Sequence, residues 1–163
     1  MLKSTGDLRY QILGIALVKV GFKALLISPR NSLEGDLNVI DKSDCHIWFL
    51  PSQGLGNIDK ILKIRQMQTV EVPELDYFID ETTVSHYPYE KTYEEARRDP
   101  FIILHTSGST GLPKPIVLVN SLMSIMDAQQ LLEPVPGRVL QLLHLKDSRI
   151  FSAFPAFHVR PPT

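Results

Sequence analysis

The densest set of reactive groups in the chain lies at 106–114, TSGSTGLPK, between two apolar runs at 101–105 and 115–119. Gly108 and Gly111 allow positive φ and leave room for a ligand to reach the backbone. With no side chain in the way, successive N–H groups can turn inward as an anion-binding concavity. Thr106, Ser107, Ser109 and Thr110 add hydroxyl donors, and Lys114 adds a mobile positive charge. Pro113 and Pro115 bracket that lysine and restrict the backbone on either side of it. Small donors with one cation suit a polyphosphate. A plain turn joining two strands could share this composition, so residue types alone do not decide between the two. Spacing excludes two other chemistries. In the Walker P-loop, G-x-x-x-x-G-K-[ST], a lysine follows the second glycine directly, whereas Leu112 and Pro113 follow Gly111. The run does not match the G-x-S-x-G elbow of hydrolases either.

Such a loop needs a scaffold, and 163 residues are enough for one domain. The composition is that of a globular protein, 44% hydrophobic and 21% charged. Seventeen basic against 18 acidic residues exert no global pull toward nucleic acid or a membrane surface. Cys45 stands alone, which excludes an intrachain disulfide and a cysteine-rich metal site. His46, His86, His105, His144 and His158 show no i, i+4 pairing of the helical zinc kind. No secretory signal or apolar run of about 18 residues is visible, so a cytoplasmic setting is expected.

Leu8, Ile12, Ile15, Ala16 and Lys19 fall on one face of a predicted first helix, with Ser4 or Thr5 as its cap and Gly21 as its stop. KALLIS at 23–28 reads as a buried strand, and Ser32 as the cap of a second helix through Leu33, Leu37 and Ile40. HIWFL at 46–50 is the next strand, then a helix carrying Ile58, Ile61, Leu62 and Arg65, then a strand at 69–72. Residues 73–91 read as an irregular connection, with Asp76, Asp80 and Glu81 on a solvated face. TYEEARRD predicts a short polar helix with a Glu94–Arg98 surface pair. Strand, loop and strand follow at 101–119, then a helix from Ser121 to about Leu132 and a last strand at 149–154. Strands alternating with helices predict an α/β fold: a doubly wound, mainly parallel sheet with helices on both faces.

The string TSGSTGLPK closely resembles the phosphate-loop signature of the acyl-adenylate-forming (AMP-binding) enzymes, which include acyl-CoA synthetases, luciferases and peptide-synthetase adenylation domains. LVKVGFKALLISPRNS at 17–32 resembles the upstream Lys-x-Gly motif of that superfamily, and FPAFHV at 154–159 its downstream Pro-x-Phe-His motif. SPRNS, and Pro115 where most members carry glycine, resemble fungal peptide-synthetase-like carboxylic acid reductases. Those join an adenylation domain to a carrier and a reductase domain. The resemblance covers residues 7 to 158 or so.

What the resemblance implies is attack of a substrate carboxylate on ATP, giving acyl-AMP and pyrophosphate, with later transfer of the acyl group to a thiol. On that basis Thr106, Ser107, Gly108, Ser109, Thr110 and Gly111 would hold the β- and γ-phosphates, and Lys114 would neutralise the departing pyrophosphate. His158 would stand near the bound carboxylate, although a histidine beside an apolar strand is also commonly a core residue. Phe154 and Phe157 would border the acyl pocket or simply fill core. Lys19 and Gly21 read as a helix end, and Arg30 as a loop contact.

The superfamily's magnesium- and adenine-binding acidic motif, ribose aspartate, hinge and C-terminal lysine have no match here. Residues 1–163 are therefore expected to be part of an adenylation N-terminal domain, truncated at both ends and not competent alone. ATP is the expected ligand, with Mg2+ accompanying it in full-length members. A carboxylic acid, and carrier and reductase domains of a longer protein, are the implied partners; nucleic acid and membrane are not. The alternative is a non-catalytic nucleotide-binding relic, or a binding protein acting through a partner chain.

Overall fold

The computed structural model describes residues 2–3, 7–51, 57–80, 84–106, 111–128, 131–133 and 136–137. In chain order they form β1 (Leu2–Lys3), α1 (Arg9–Lys19), β2 (Ala24–Ile27), α2 (Leu33–Lys42), β3 (Ile47–Pro51) and α3 (Ile58–Ile64). Then come β4 (Gln68–Val72), α4 (Leu75–Ile79), α5 (Tyr93–Ala96), β5 (Pro100–His105), β6 (Pro115–Val119) and α6 (Asn120–Ala128).

The strands make one sheet in the order β4-β3-β1-β2-β5-β6. Neighbours are parallel except β6, which returns antiparallel along β5 with His105 opposite Pro115. The expected α/β class with a mainly parallel sheet is what forms.

Period-two alternation divides the core between the two faces of the sheet. Leu25, Ile27, Trp48 and Ile103 point to the face covered by α2 and α3, where Val39, Ile40, Ile58 and Ile61 meet them. Ala24 and Leu26 point the other way, against Tyr10 and Leu17 of α1, with Phe49, Ile102 and Leu104 alongside. All four residues of β2 are buried, as expected of a parallel strand covered on both faces.

Helix ends follow from local chemistry. Ser32 accepts from the Gly35 amide at 3.1 Å, confirming the predicted cap of α2. Gly21 has φ +86 and closes α1 as predicted: its amide donates to the Val18 carbonyl, and that of Phe22 to the Leu17 carbonyl. α2 ends in the same way with Asp44 at φ 53.

Several expectations need correction. The face of α1 that packs is Tyr10, Leu13, Gly14 and Leu17, whereas Leu8 and Ile15 are 59% and 60% exposed. α1 is apolar nearly all round, and Gly14 on the inner stripe hides that stripe from a hydrophobic count. Its start uses Asp7, whose carboxylate accepts from the Arg9 amide; Ser4 and Thr5 lie outside the described residues. β1 precedes the first helix, where no strand was expected, and α4 forms inside the stretch read as irregular. Glu94 pairs with Arg97 rather than Arg98, because α5 ends at Ala96. The predicted last strand, Glu81, Phe154, Phe157 and His158 lie outside the described residues.

Candidate functional site

β2 and β5 are neighbours whose chains leave in opposite directions. From β2 the chain passes through α2 to β3 on the far side of β1, while from β5 it turns back as β6 on the other flank. Such a divergence opens a crevice at the carboxyl ends of the two strands, the usual ligand position in open α/β sheets. Ser28 to Ser32 follow β2 at that end, where Ser28 and Asn31 meet His105 at the end of β5.

The loop is the tip of the β5–β6 hairpin, and its base is closed by two contacts. The Thr106 amide donates to the Lys114 carbonyl at 3.0 Å. The Lys114 amide donates to the Thr106 hydroxyl oxygen at 3.4 Å. Thr106 can therefore offer a ligand its hydroxyl hydrogen, not its amide. Gly111 has φ +92, the left-handed conformation that its position in the turn demands of a glycine. Pro113 is buried, whereas Lys114 is exposed and makes no ion pair among the described residues. Ser107, Gly108, Ser109 and Thr110 lie outside the described residues, as does His158.

Four contacts that sequence reasoning missed hold the hairpin to the rest of the fold. His105, the last residue of β5, accepts on Nε2 from the Ser28 amide at 3.1 Å, and Asn31 Nδ2 lies 3.3 Å from the same nitrogen. An amide can only donate, so Nε2 must carry the lone pair, which places the proton of the neutral ring on Nδ1. Nδ1 lies 3.3 Å from the Thr106 carbonyl, an acceptor suited to that proton. On the other side, Asn38 Nδ2 donates to the Pro113 carbonyl at 2.7 Å. Pro113 also approaches Gly35 of α2 closely, so that a Cβ on Gly35 would lie 3.2 Å from Pro113 Cδ. His105 directly preceding the loop, and Asn31 within SPRNS, were visible in the sequence, but partners 74 to 77 residues away were not.

Asp36 is fully buried in the first half of α2, where a carboxylate also favours the helix dipole. Arg30 is exposed in the turn, and Lys19 is half-buried at the end of α1. Among the described residues no three His, Cys, Asp or Glu side chains gather as a metal site. A cleft of about 720 Å3 opens at the opposite end of the sheet, between Val18–Lys23 and Tyr87–Lys91. Of the predicted site residues that are described, Thr106, Gly111 and Lys114, none lines it.

Comparison with known proteins agrees with this architecture. No family model matches the chain. It is 41% identical over 130 residues to an isocyanide synthase–NRPS hybrid of Aspergillus fumigatus, covering 78% of this chain and 8% of that protein. It is 33% identical over 156 residues to a carboxylic acid reductase of Neurospora crassa, covering 93% and 15%. An adenylate-forming reductase of Serpula lacrymans is 31% identical over 174 aligned residues, covering 97% and 15%. Among solved structures, a luciferase-like enzyme from the mealworm Zophobas morio superposes with TM-score 0.59 at 23% identity, covering 78% of this chain and 32% of that one. A malonyl-CoA ligase with methylmalonyl-CoA and AMP bound gives 0.58 at 19%, covering 78% and 25%. An o-succinylbenzoate CoA synthetase of Bacillus subtilis, in complex with its acyl-adenylate, gives 0.54 at 18%, covering 80% and 32%.

Sheet order, helix placement and relatives together define an α/β domain of the acyl-adenylate-forming, AMP-binding superfamily, to which the chain belongs. Among its curated relatives are fungal reductases and an isocyanide synthase–NRPS hybrid. The chain spans between 8% and 15% of their length.

Proposed function

We propose that the β5–β6 hairpin loop holds the triphosphate of ATP, as part of the N-terminal domain of an enzyme that activates a carboxylic acid as its adenylate. The observation that carries this reading is the exposed Lys114, without an ion-pair partner among the described residues, whose amide meets the Thr106 hydroxyl at the carboxyl end of β5 beside β2. In this reading the Thr106 hydroxyl, together with the hydroxyls and amides from Ser107 to Gly111, takes the β- and γ-phosphates. Lys114 offsets the charge that develops on the departing pyrophosphate. His158 faces the carboxylate, and Mg2+ accompanies the nucleotide. The carboxylic acid, a carrier and a reductase are partners of the longer relatives' kind.

Titration of the full chain with ATP tests this directly. Saturable binding is expected, weakened about ten- to a hundredfold in Lys114→Ala, the range of one lost charge-assisted contact. No binding at millimolar ATP, or equal binding by Lys114→Ala, would remove the loop from the nucleotide site. Because the chain spans so little of its relatives, we further propose that it does not complete the reaction alone. Pyrophosphate exchange into ATP with a panel of aryl and alkyl acids should then stay at background for the 163-residue chain.

A further inference from the structure

We propose that α2 is the strut that sets the position of Lys114, acting through Asn38 and Gly35 as positioning residues. The Pro113 carbonyl and the Lys114 amide belong to one peptide group, which is planar and stiff. That plane is held from both edges: Asn38 Nδ2 donates to its oxygen at 2.7 Å, and its N–H donates to Thr106 Oγ1 at 3.4 Å. Gripping both edges fixes the direction in which the lysine leaves the backbone.

Gly35 supplies the close approach. A Cβ at that position would sit 3.2 Å from Pro113 Cδ, 3.3 Å from Pro113 Cγ and 3.2 Å from Ser32 Oγ, tighter than ordinary packing. Its φ is not in the left-handed region, so helix geometry does not require glycine there. A glycine inside a helix is among the poorest formers. What its presence permits is the seating of Pro113. The strut itself is rigid, because Val39 and Ile40 on the same helix are fully buried in the core and Ser32 caps its start. Helix α2 thus carries the position of the hydrophobic core to the base of the loop.

The functional consequence rests on the reading of Lys114 as the phosphate-facing cation, so the experiment separates the two. Gly35→Ala and Asn38→Ala both place a better helix former in α2, which offsets part of what each loses at Pro113, so the melting temperature should fall little. With inorganic tripolyphosphate as the probe, calorimetric titration of each full-length variant should show binding weakened about tenfold, the scale expected for a displacement of a few tenths of an ångström. Hydrogen exchange at the Lys114 and Thr106 amides should quicken about tenfold in both variants, because the peptide plane has lost one support. Unchanged exchange overturns the strut whether or not the parent binds tripolyphosphate. Binding that weakens only in step with a falling melting temperature overturns it too, since that marks a general loss of helix stability. If the parent fails to bind tripolyphosphate while exchange still quickens, the phosphate reading falls and the strut stands.

Discussion

Replacing His105 by phenylalanine would keep a planar ring at the end of β5 and remove its acceptor. In the native fold the Ser28 amide donates to Nε2 at 3.1 Å, and Ser28 is only 6% exposed. Without the imidazole that N–H is left buried and unpaired, which costs about 1–3 kcal/mol. The Asn31 contact to the same nitrogen goes with it. For a domain of this size each 1 kcal/mol lowers the melting temperature by about 2–4 °C, so a fall of roughly 2–12 °C is expected. Glutamine can place its Oε1 near the position of Nε2 and restore the acceptor, so His105→Gln should recover most of the loss. Thermal melts of parent, His105→Phe and His105→Gln, with hydrogen exchange read at the Ser28 amide, give the full comparison. If His105→Phe melts with the parent and the Ser28 amide stays protected, the bridge between β2 and β5 does not hold the crevice together.

Two further outcomes follow from titratable groups. Tyr10 is 4% exposed and its hydroxyl has no hydrogen-bond partner among the described residues. Tyr10→Phe should therefore be neutral or stabilising by about 1 kcal/mol, measured by urea unfolding. Burial raises the Tyr10 pKa above its ordinary 10.0, so the unfolded chain ionises first. Stability is intact below that value and declines as pH rises past it, and the decline should lessen in Tyr10→Phe. Glu95 has its pKa lowered from 4.5 by hydrogen bonds from the Thr92 amide and hydroxyl. Its contribution is present above 4.5 and lost as pH falls through the lowered folded-state value, so α5 should fray first on acidification. Amide chemical shifts of Thr92 and Glu95 followed from pH 6 downward to about 3 would report it, and Glu95→Gln should blunt the transition.

The sequence disclosed what local chemistry decides. Short apolar runs gave β2 to β6, Ser32 and Gly21 marked helix ends, and the glycine-rich loop announced itself by composition. The T-x-x-E capping box at Thr92 and Glu95 was equally legible but went unread. Legibility failed where two solutions fit one pattern. α1 carries apolar residues on two stripes, and only the tertiary fold decides that Tyr10 and Leu17 go inward. β1 is two residues long and gains its identity from pairing with β2 and β3, not from its own residues. At the candidate site, the loop was visible but its supports were not. His105, Asn31, Gly35 and Asn38 act through partners that lie beside them only once the sheet and α2 are in place.

The antiparallel return of β6 has a consequence for how this segment can vary. Thr106 and Lys114 are adjacent in space and bonded to one another, so the ends of the intervening stretch are pinned whatever lies between them. Changing its length or residues alters the closure entropy only slowly, by about 0.6 kcal/mol per doubling. Chemistry at the tip can thus be rewritten like an exchangeable cassette, while the register of the sheet beneath stays as it was.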